Sequence, residues 1–316
     1  MGAVANCYPF GAGQVKMPHP VPYQGSKRKL APIIGRYLPQ GIHTLYEPFA
    51  GSAAMTIYAA YHRRASRFVI ADSFEPIIRL LRAIVNEPEK TANQYETLWE
   101  GQRDGDNEYF NNIRDRYNRK WHHVDLLYLI CRCVKNAIRF NKSGQFTQSV
   151  DKRRLGMHPG KMCSAILAVS SILRGRVEFR VGDWLETTAD ARPVDFLYMD
   201  PPYLGTSIGR DKRYHQQMMQ NELVGGLENL MQRQVPFALS YDGTTGGRPY
   251  GPLLPESLGL THLLLHAGTS AQATLVGRKE ETFESLYLTP GLTLPSDRLM
   301  SPMSKQISLG FSPAAS

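Results

Sequence analysis

Short apolar runs ending in Gly-, Asp- or Pro-punctuated turns occur on both sides of a stretch, residues 87–175, in which that rhythm stops. The runs at 67–72, 177–181, 194–199, 236–241, 260–266 and 284–288 have strand length and composition. Helical patterns lie between them, at Met55, Ile57, Tyr58 and Tyr61 and again over 73–86, where Pro76 falls in the first turn. Strand–helix alternation of this kind buries its apolar faces as a sheet covered by helices on both sides. The expected fold is therefore α/β, a doubly wound sheet built from 21–86 and 176–290, carrying 87–175 as an inserted helical lobe with a hairpin. Residues 1–20, rich in Gly and Pro, read as a flexible lead-in, and the Pro/Ser-rich 291–316 as a disordered tail.

Composition narrows the partner. The 316 residues carry 37 Lys+Arg against 28 Asp+Glu, a net charge of +9, which favours a polyanion such as nucleic acid. No run approaches the roughly 18 uninterrupted apolar residues of a membrane span. The first fifteen residues lack the charged start and apolar centre of a secretion signal, so an intracellular, cytoplasmic protein is expected.

The run Leu197-Tyr198-Met199-Asp200-Pro201-Pro202-Tyr203 is the strongest chemical signal. In a doubly wound sheet, ligands bind just beyond the carboxyl ends of strands, where these residues fall. Asp200 supplies a carboxylate acceptor, and Pro201 and Pro202 offer carbonyl oxygens on a fixed backbone. Tyr203 adds a flat ring. That set suits a planar ligand with an exocyclic amine, although PP dipeptides also mark ordinary loops.

Two earlier loops have ligand-binding character. In Tyr23-Gln24-Gly25-Ser26-Lys27, Ser26 is a candidate N-cap for a helix with Leu30, Ile33, Ile34, Tyr37 and Leu38 on one face. Tyr23 and Lys27 could then meet an anionic group at its start. In Glu47-Pro48-Phe49-Ala50-Gly51-Ser52-Ala53-Ala54, small residues let a ligand approach the backbone. The loop is not GxGxxG, so a dinucleotide is not indicated. Asp72 follows about 20 residues later, where an acid either receives ribose hydroxyls or caps the next helix.

Within the insert, 92–123 is charged and aromatic, and an apolar helical run covers 124–140. Arg139 to Gln148 reads as a basic hairpin turning at Lys142-Ser143-Gly144 between Phe140 and Phe146, followed by Asp151-Lys152-Arg153-Arg154. Arg139, Lys142, Lys152, Arg153 and Arg154 suit phosphate contacts, and Asn141, Gln145 and Gln148 suit base edges. A solvated basic face is the plainer alternative. Cys131 and Cys133 near His122-His123 invite a zinc site. Residues two apart on a helix point in different directions, so buried thiols and no metal are expected.

Tyr-x-Gly-Ser-Lys, Glu-Pro-Phe-Ala-Gly-Ser, Ala-Asp, Arg-Phe-Asn-x-x-Gly-x-Phe, Gly-Asp-Trp and Asp-Pro-Pro-Tyr occur in that order over residues 20–290. This series resembles the Dam-type (alpha-group) DNA adenine-N6 methyltransferases. The resemblance implies a Rossmann-like methyltransferase sheet, S-adenosylmethionine as cofactor, double-stranded DNA as substrate and a target-recognition lobe at 87–175. It further implies that Tyr23, Lys27 and the Glu47, Phe49, Ala50, Gly51 loop meet the methionine end of the cofactor. Asp72 would take its ribose, Asp183 and Trp184 its adenine, and Asp200 to Tyr203 the chemistry, with Asp200 also beside the cofactor. Ser240-Tyr241 would lie near the flipped base and 204–214 would close over it. Gly51-Ser52 replaces the pair of glycines found in many members, and Asp72 is followed by Ser-Phe-Glu. A restriction-modification setting in a bacterial or phage-type cell, with a cognate restriction endonuclease as candidate partner, is part of the expectation. The alternatives are cytosine, RNA adenine or a protein amide as acceptor, and a catalytically silent DNA-binding module.

Overall fold

The computed structural model describes residues 17–102, 107–202, 220–245, 248–249, 253–269, 281–292 and 306–307. Tyr203, the 204–214 segment, residues 1–16 of the lead-in and most of the tail lie outside the described residues.

Five strands run parallel: β1 (Ile42–Glu47), β2 (Ala65–Asp72), β3 (Val177–Val181), β4 (Phe196–Met199) and β5 (Phe237–Thr245). β6 (Arg248–Pro249) folds back on β5, and β7 (Thr261–Thr269) pairs antiparallel with β8 (Glu281–Leu288). β8 is also antiparallel to β5, and β9 (Gln306–Ile307) pairs in parallel with β7. The sheet order is β3-β2-β1-β4-β5-β8-β7-β9. After β1 the chain builds outward through β2 and β3, then returns to place β4 on the other side of β1. That reversal opens a crevice beyond the carboxyl ends of β1 and β4.

Central strands read as continuous apolar runs because both faces are covered. Leu45, Ile70 and Phe196 face Ile57 of α2 (Ala54–Tyr61), Ile77 of α3 (Glu75–Asn86) and Ile166 in the 159–173 helix. Tyr46, Leu197 and Phe237 face the opposite layer, formed by Trp184 and by Leu223, Leu227 and Leu230. The expected strands are present, and β1, β6 and β9 are added to them. The β1 run Ile42-His43-Thr44-Leu45-Tyr46 carries apolar residues out of alternation and stands directly against the Gly loop, whose punctuation masks it.

The insert contributes α4 (Pro88–Gly101), α5 (Asn107–Lys120), α6 (His123–Arg132) and α7 (Pro159–Leu173). α7 packs on α2, α3 and α4, so it completes one covering layer of the sheet. α8 (Trp184–Thr187) and α9 (Gln220–Gln232) cover the other face. Among the described residues, no helix is long and apolar enough to cross a membrane.

Two helices differ from expectation. The segment after Ser26 is broken into a 3-10 turn at Lys27–Lys29, a short helix α1 (Ala31–Ile34) and a second 3-10 turn at Gly35–Tyr37. Pro32 has no N–H to give the preceding turn, and Ser26 makes no side-chain cap. The run expected as helix over 124–140 stops at Arg132. There Cys133 is extended and pairs with Val150, while Asn136 Nδ2 donates to the Ile130 carbonyl at 2.8 Å. Cys131 and Cys133 are buried free thiols, each pushed up to about 12 by burial. Of the lead-in, Pro18 and Pro20 are buried; within the tail, Gln306–Ile307 forms β9.

Candidate active site

Three loops meet beyond the ends of β1, β2 and β4, and their own side chains tie them together. Glu47 ends β1 with its carboxyl buried against the start of α2, where Oε1 accepts from Met55 N–H at 3.2 Å and Oε2 from Thr56 N–H at 2.7 Å. Burial pushes this carboxyl up to about 7, with the negative charge of Asp200 adding to the effect. The N–H groups opening a helix lack internal partners, which explains why an acid is accommodated there.

Asp72 ends β2. Its Oδ2 accepts from Gly51 N–H at 3.0 Å and its Oδ1 from Phe74 N–H at 2.9 Å. One carboxylate thus closes the small-residue loop and turns the chain into α3. Burial raises it to about 6. A carboxylate has about four acceptor sites, so capacity for a hydroxyl remains beside the two amides. Gly51 sits at φ +48 and Ala53 at φ +54, left-handed conformations that turn this loop sharply. A Cβ on Gly51 would meet the Tyr23 ring at 3.4 Å, so the Tyr23 loop lies directly over the Gly51 backbone. Ser52 Oγ donates to Ser26 Oγ at 2.8 Å, joining the same two loops.

Asp200 follows β4 at the switch point, with Pro201 buried and Pro202 half-buried. Its Oδ1 lies 2.8 Å from Lys27 Nζ, and the same ammonium is 3.3 Å from Glu284 Oε2. Lys27 is 7% exposed. Tyr198 and Ser240 join β4 and β5 through a buried 2.8 Å hydroxyl contact, and Tyr241 is buried beside them. Phe49 and Trp184 form a tilted aromatic pair at 6.1 Å. The Trp184 ring is itself buried against α9, since a Cβ on Gly226 would meet it at 2.3 Å. Asp183 is exposed and caps α8 through Leu185 N–H at 2.8 Å.

Glu284 was not expected from sequence. In 281–288 it is one of two acids in the less buried half of a strand, and only the antiparallel register of β8 carries it to this edge.

The hairpin turns where expected: Phe140 bridges Phe146, Gly144 stands at φ +74, and Asn141 Oδ1 accepts from Ser143 and Gln145 N–H at 3.0 and 2.9 Å. Its base touches the site loops, with Phe74 and Phe140 rings 5.1 Å apart and Gln24 N–H donating to Asn136 carbonyl. The residues expected to meet DNA divide. Lys142, Gln145 and Lys152 are exposed and Arg139 is half-buried. Arg153 and Arg154 are also exposed but pair with buried Asp151 at 3.1 and 2.9 Å and hold its carboxyl well below the usual carboxylate range. Gln148 is buried and donates to the Val134 carbonyl at 3.1 Å, so it braces the hairpin from inside. Arg132, fully buried, donates to the carbonyls of Asp151 and Arg154. A groove of about 460 Å³ lies between α5 and the hairpin, lined by Arg114, Asn118, Arg119, Gln145, Phe146 and Thr147 among others. Asn118 fixes its floor, pairing with both the N–H and the carbonyl of Phe146.

Comparison with known proteins gives a concordant result. The family model for D12 class N6 adenine-specific DNA methyltransferases matches residues 23–263. The chain is similar to the type II methyltransferase M1.LlaDCHI of Lactococcus lactis subsp. cremoris, 27% identical over 58% of this chain and 65% of that one. It is also similar to the type II methyltransferase M.FokI of Planomicrobium okeanokoites, 23% identical over 85% of this chain and 42% of the other. The modification methylase LlaI of Lactococcus lactis subsp. lactis is 25% identical over 60% of this chain and 30% of its own length. The chain therefore spans less than two thirds of each of these relatives.

Proposed function

The chain belongs to the D12 class N6 adenine-specific DNA methyltransferase family, and we propose that it moves a methyl group from S-adenosylmethionine to the N6 amine of an adenine flipped out of duplex DNA. The observation that carries this reading is Asp200-Pro201-Pro202 at the end of a fully buried strand, beside the switch-point crevice and the Gly51 loop.

The crevice fits the cofactor by its donor set. Gly51 brings bare backbone to its rim under the Tyr23 ring, Asp72 keeps acceptor capacity for a ribose hydroxyl, and Phe49 offers an aromatic edge. Bound there, the cofactor supplies an electrophilic methyl group. The protein's own part concerns the amine. An exocyclic amine conjugated with a purine has a delocalised lone pair and attacks poorly. Asp200 and the Pro201 carbonyl accept its two hydrogens, which draws the nitrogen toward tetrahedral geometry and frees the lone pair. The Asp200 carboxylate then stabilises positive charge growing on nitrogen, which is relieved when the methylated nitrogen releases one of its protons to solvent, and fixed positioning supplies much of the remainder. Burial of Pro201 and of the β4–β5 contact keeps these acceptors from moving. Tyr203 is assigned to stack on the flipped base.

DNA is assigned to the insert, with Arg114 and Arg119 of the α5–hairpin groove and the exposed Lys142 of the hairpin turn as phosphate ligands, and Gln145 as an edge reader. An intracellular role beside a cognate restriction endonuclease completes the proposal. Expression in a host lacking adenine methylation, followed by modification-sensitive sequencing, tests it. N6-methyladenine at one recurring sequence is expected, and its loss in Asp200→Ala. Methylation on cytosine, or none on DNA, would overturn the assignment.

A further inference from the structure

We infer that Glu284 is a positioning residue for the reaction: it shares the Lys27 ammonium with Asp200 and so governs how much negative charge Asp200 keeps for the substrate amine. The inference rests on the proposed methyl transfer and concerns a residue on the far arm of the sheet.

β8 runs antiparallel to β5, so its N-terminal residues lie beside the carboxyl end of β5, on the same edge as Asp200. The β5–β8 register slips between Ser240 and Gly243, and Glu284 stands opposite Gly243, immediately past the slip. A bulge of this kind re-aims the side chains beside it. Glu284 Oε2 comes to 3.3 Å from Lys27 Nζ, which is 2.8 Å from Asp200 Oδ1. The lysine is nearly buried and each carboxylate is about one fifth exposed.

One ammonium between two carboxylates has a chemical consequence. Held by Asp200 alone, Lys27 would neutralise the charge that must stabilise the developing ammonium on the substrate. Drawn partly toward Glu284, it still orients Asp200 through Oδ1 while the carboxylate keeps negative charge for the amine. Glu284 touches no reacting atom, and its effect passes through Lys27.

The test compares Glu284→Gln, Glu284→Asp, Lys27→Met and the Lys27→Met/Glu284→Gln double variant. In Glu284→Gln, kcat should fall roughly tenfold, within the range over which groups in one ion-pair network couple. KM for cofactor and for DNA should stay within about threefold, since the interaction removed acts only in the transition state. Glu284→Asp should recover part of kcat, and Glu284→Gln should cost nothing further once Lys27 is Met. Thermal unfolding of the unliganded proteins should show the same non-additivity, a readout independent of turnover. Unchanged kcat in Glu284→Gln would overturn the inference. So would an equal loss in the Lys27→Met background, or no recovery by Asp. If the unmodified chain methylates no DNA, the functional proposal fails instead, and the unfolding cycle still decides whether the two residues are coupled.

Discussion

The switch-point edge and the α5–hairpin groove are both built from charged residues, yet they treat charge in opposite ways. At the edge, Glu47 and Asp72 are buried and bonded to backbone N–H groups, and Lys27 is held between two acids. In the groove, Arg119 is exposed and Arg114 reaches its neighbour Asp115 at 3.9 Å. Fixed dipoles in a dry site act without reorganising, which transition-state stabilisation requires. Solvated cations neutralise phosphates at little desolvation cost and adapt to whichever duplex arrives. The first region gives up stability to preorganise, and the second leaves its charge available.

The largest expected effect tests the first half of that contrast. Asp200→Ala should lower methyl transfer by about 10²–10³-fold or more, as removal of one oxyanion-hole donor does, while DNA binding changes by only a few-fold. Radiolabelled methyl transfer beside fluorescence anisotropy measures both, and near-normal turnover would remove Asp200 from the chemistry.

Next comes the pH dependence of stability. Glu47 and Asp72 are raised to about 7 and about 6, so the folded state holds their protons more tightly than the unfolded chain, whose carboxyls titrate near about 4. The stability they contribute is complete below that value and is lost as pH rises through about 6 and about 7. Glu47→Gln, which keeps an acceptor for the helix N–H groups, should flatten the decline in Tm across this window. A Tm profile parallel to that of the unmodified chain would show that the edge does not store this cost.

The groove is tested by salt. Replacing Arg114, Arg119 and Lys142 with Ala should lower the slope of log affinity against log salt by about 0.9 for each phosphate that is no longer neutralised. Cofactor affinity should not change. An unaltered slope would make the groove a solvated face.

The smallest effect separates bracing from reading within the hairpin. Gln148→Ala should cost about 1 kcal/mol of stability, for one hydrogen bond to a buried carbonyl, and leave the methylated sequence unchanged. Gln145→Ala should do the reverse, relaxing the sequence with little change in Tm. Sequencing of methylated sites alongside thermal unfolding distinguishes them.

The amino-acid sequence by itself determined most strands of the sheet and the motif-bearing turns. Period, length and punctuation are local properties, and both-faces burial writes itself into runs such as Phe196-Leu197-Tyr198-Met199. It also marked the hairpin turn, because Gly144 at positive φ and Asn141 folding onto its own backbone are short-range chemistry. Tertiary structure decided what each charge is for. Asp151 pairs with the exposed Arg153 and Arg154 while the buried Arg132 ties the carbonyls of Asp151 and Arg154 to the core. Pro32 broke a helix that its apolar face predicted. Glu284 reaches Lys27 from the far end of the chain through an antiparallel register and a bulge, and no local pattern encodes such a distance. Identity and spacing fix which groups a chain owns, while the fold's long-range pairing fixes which of them meet.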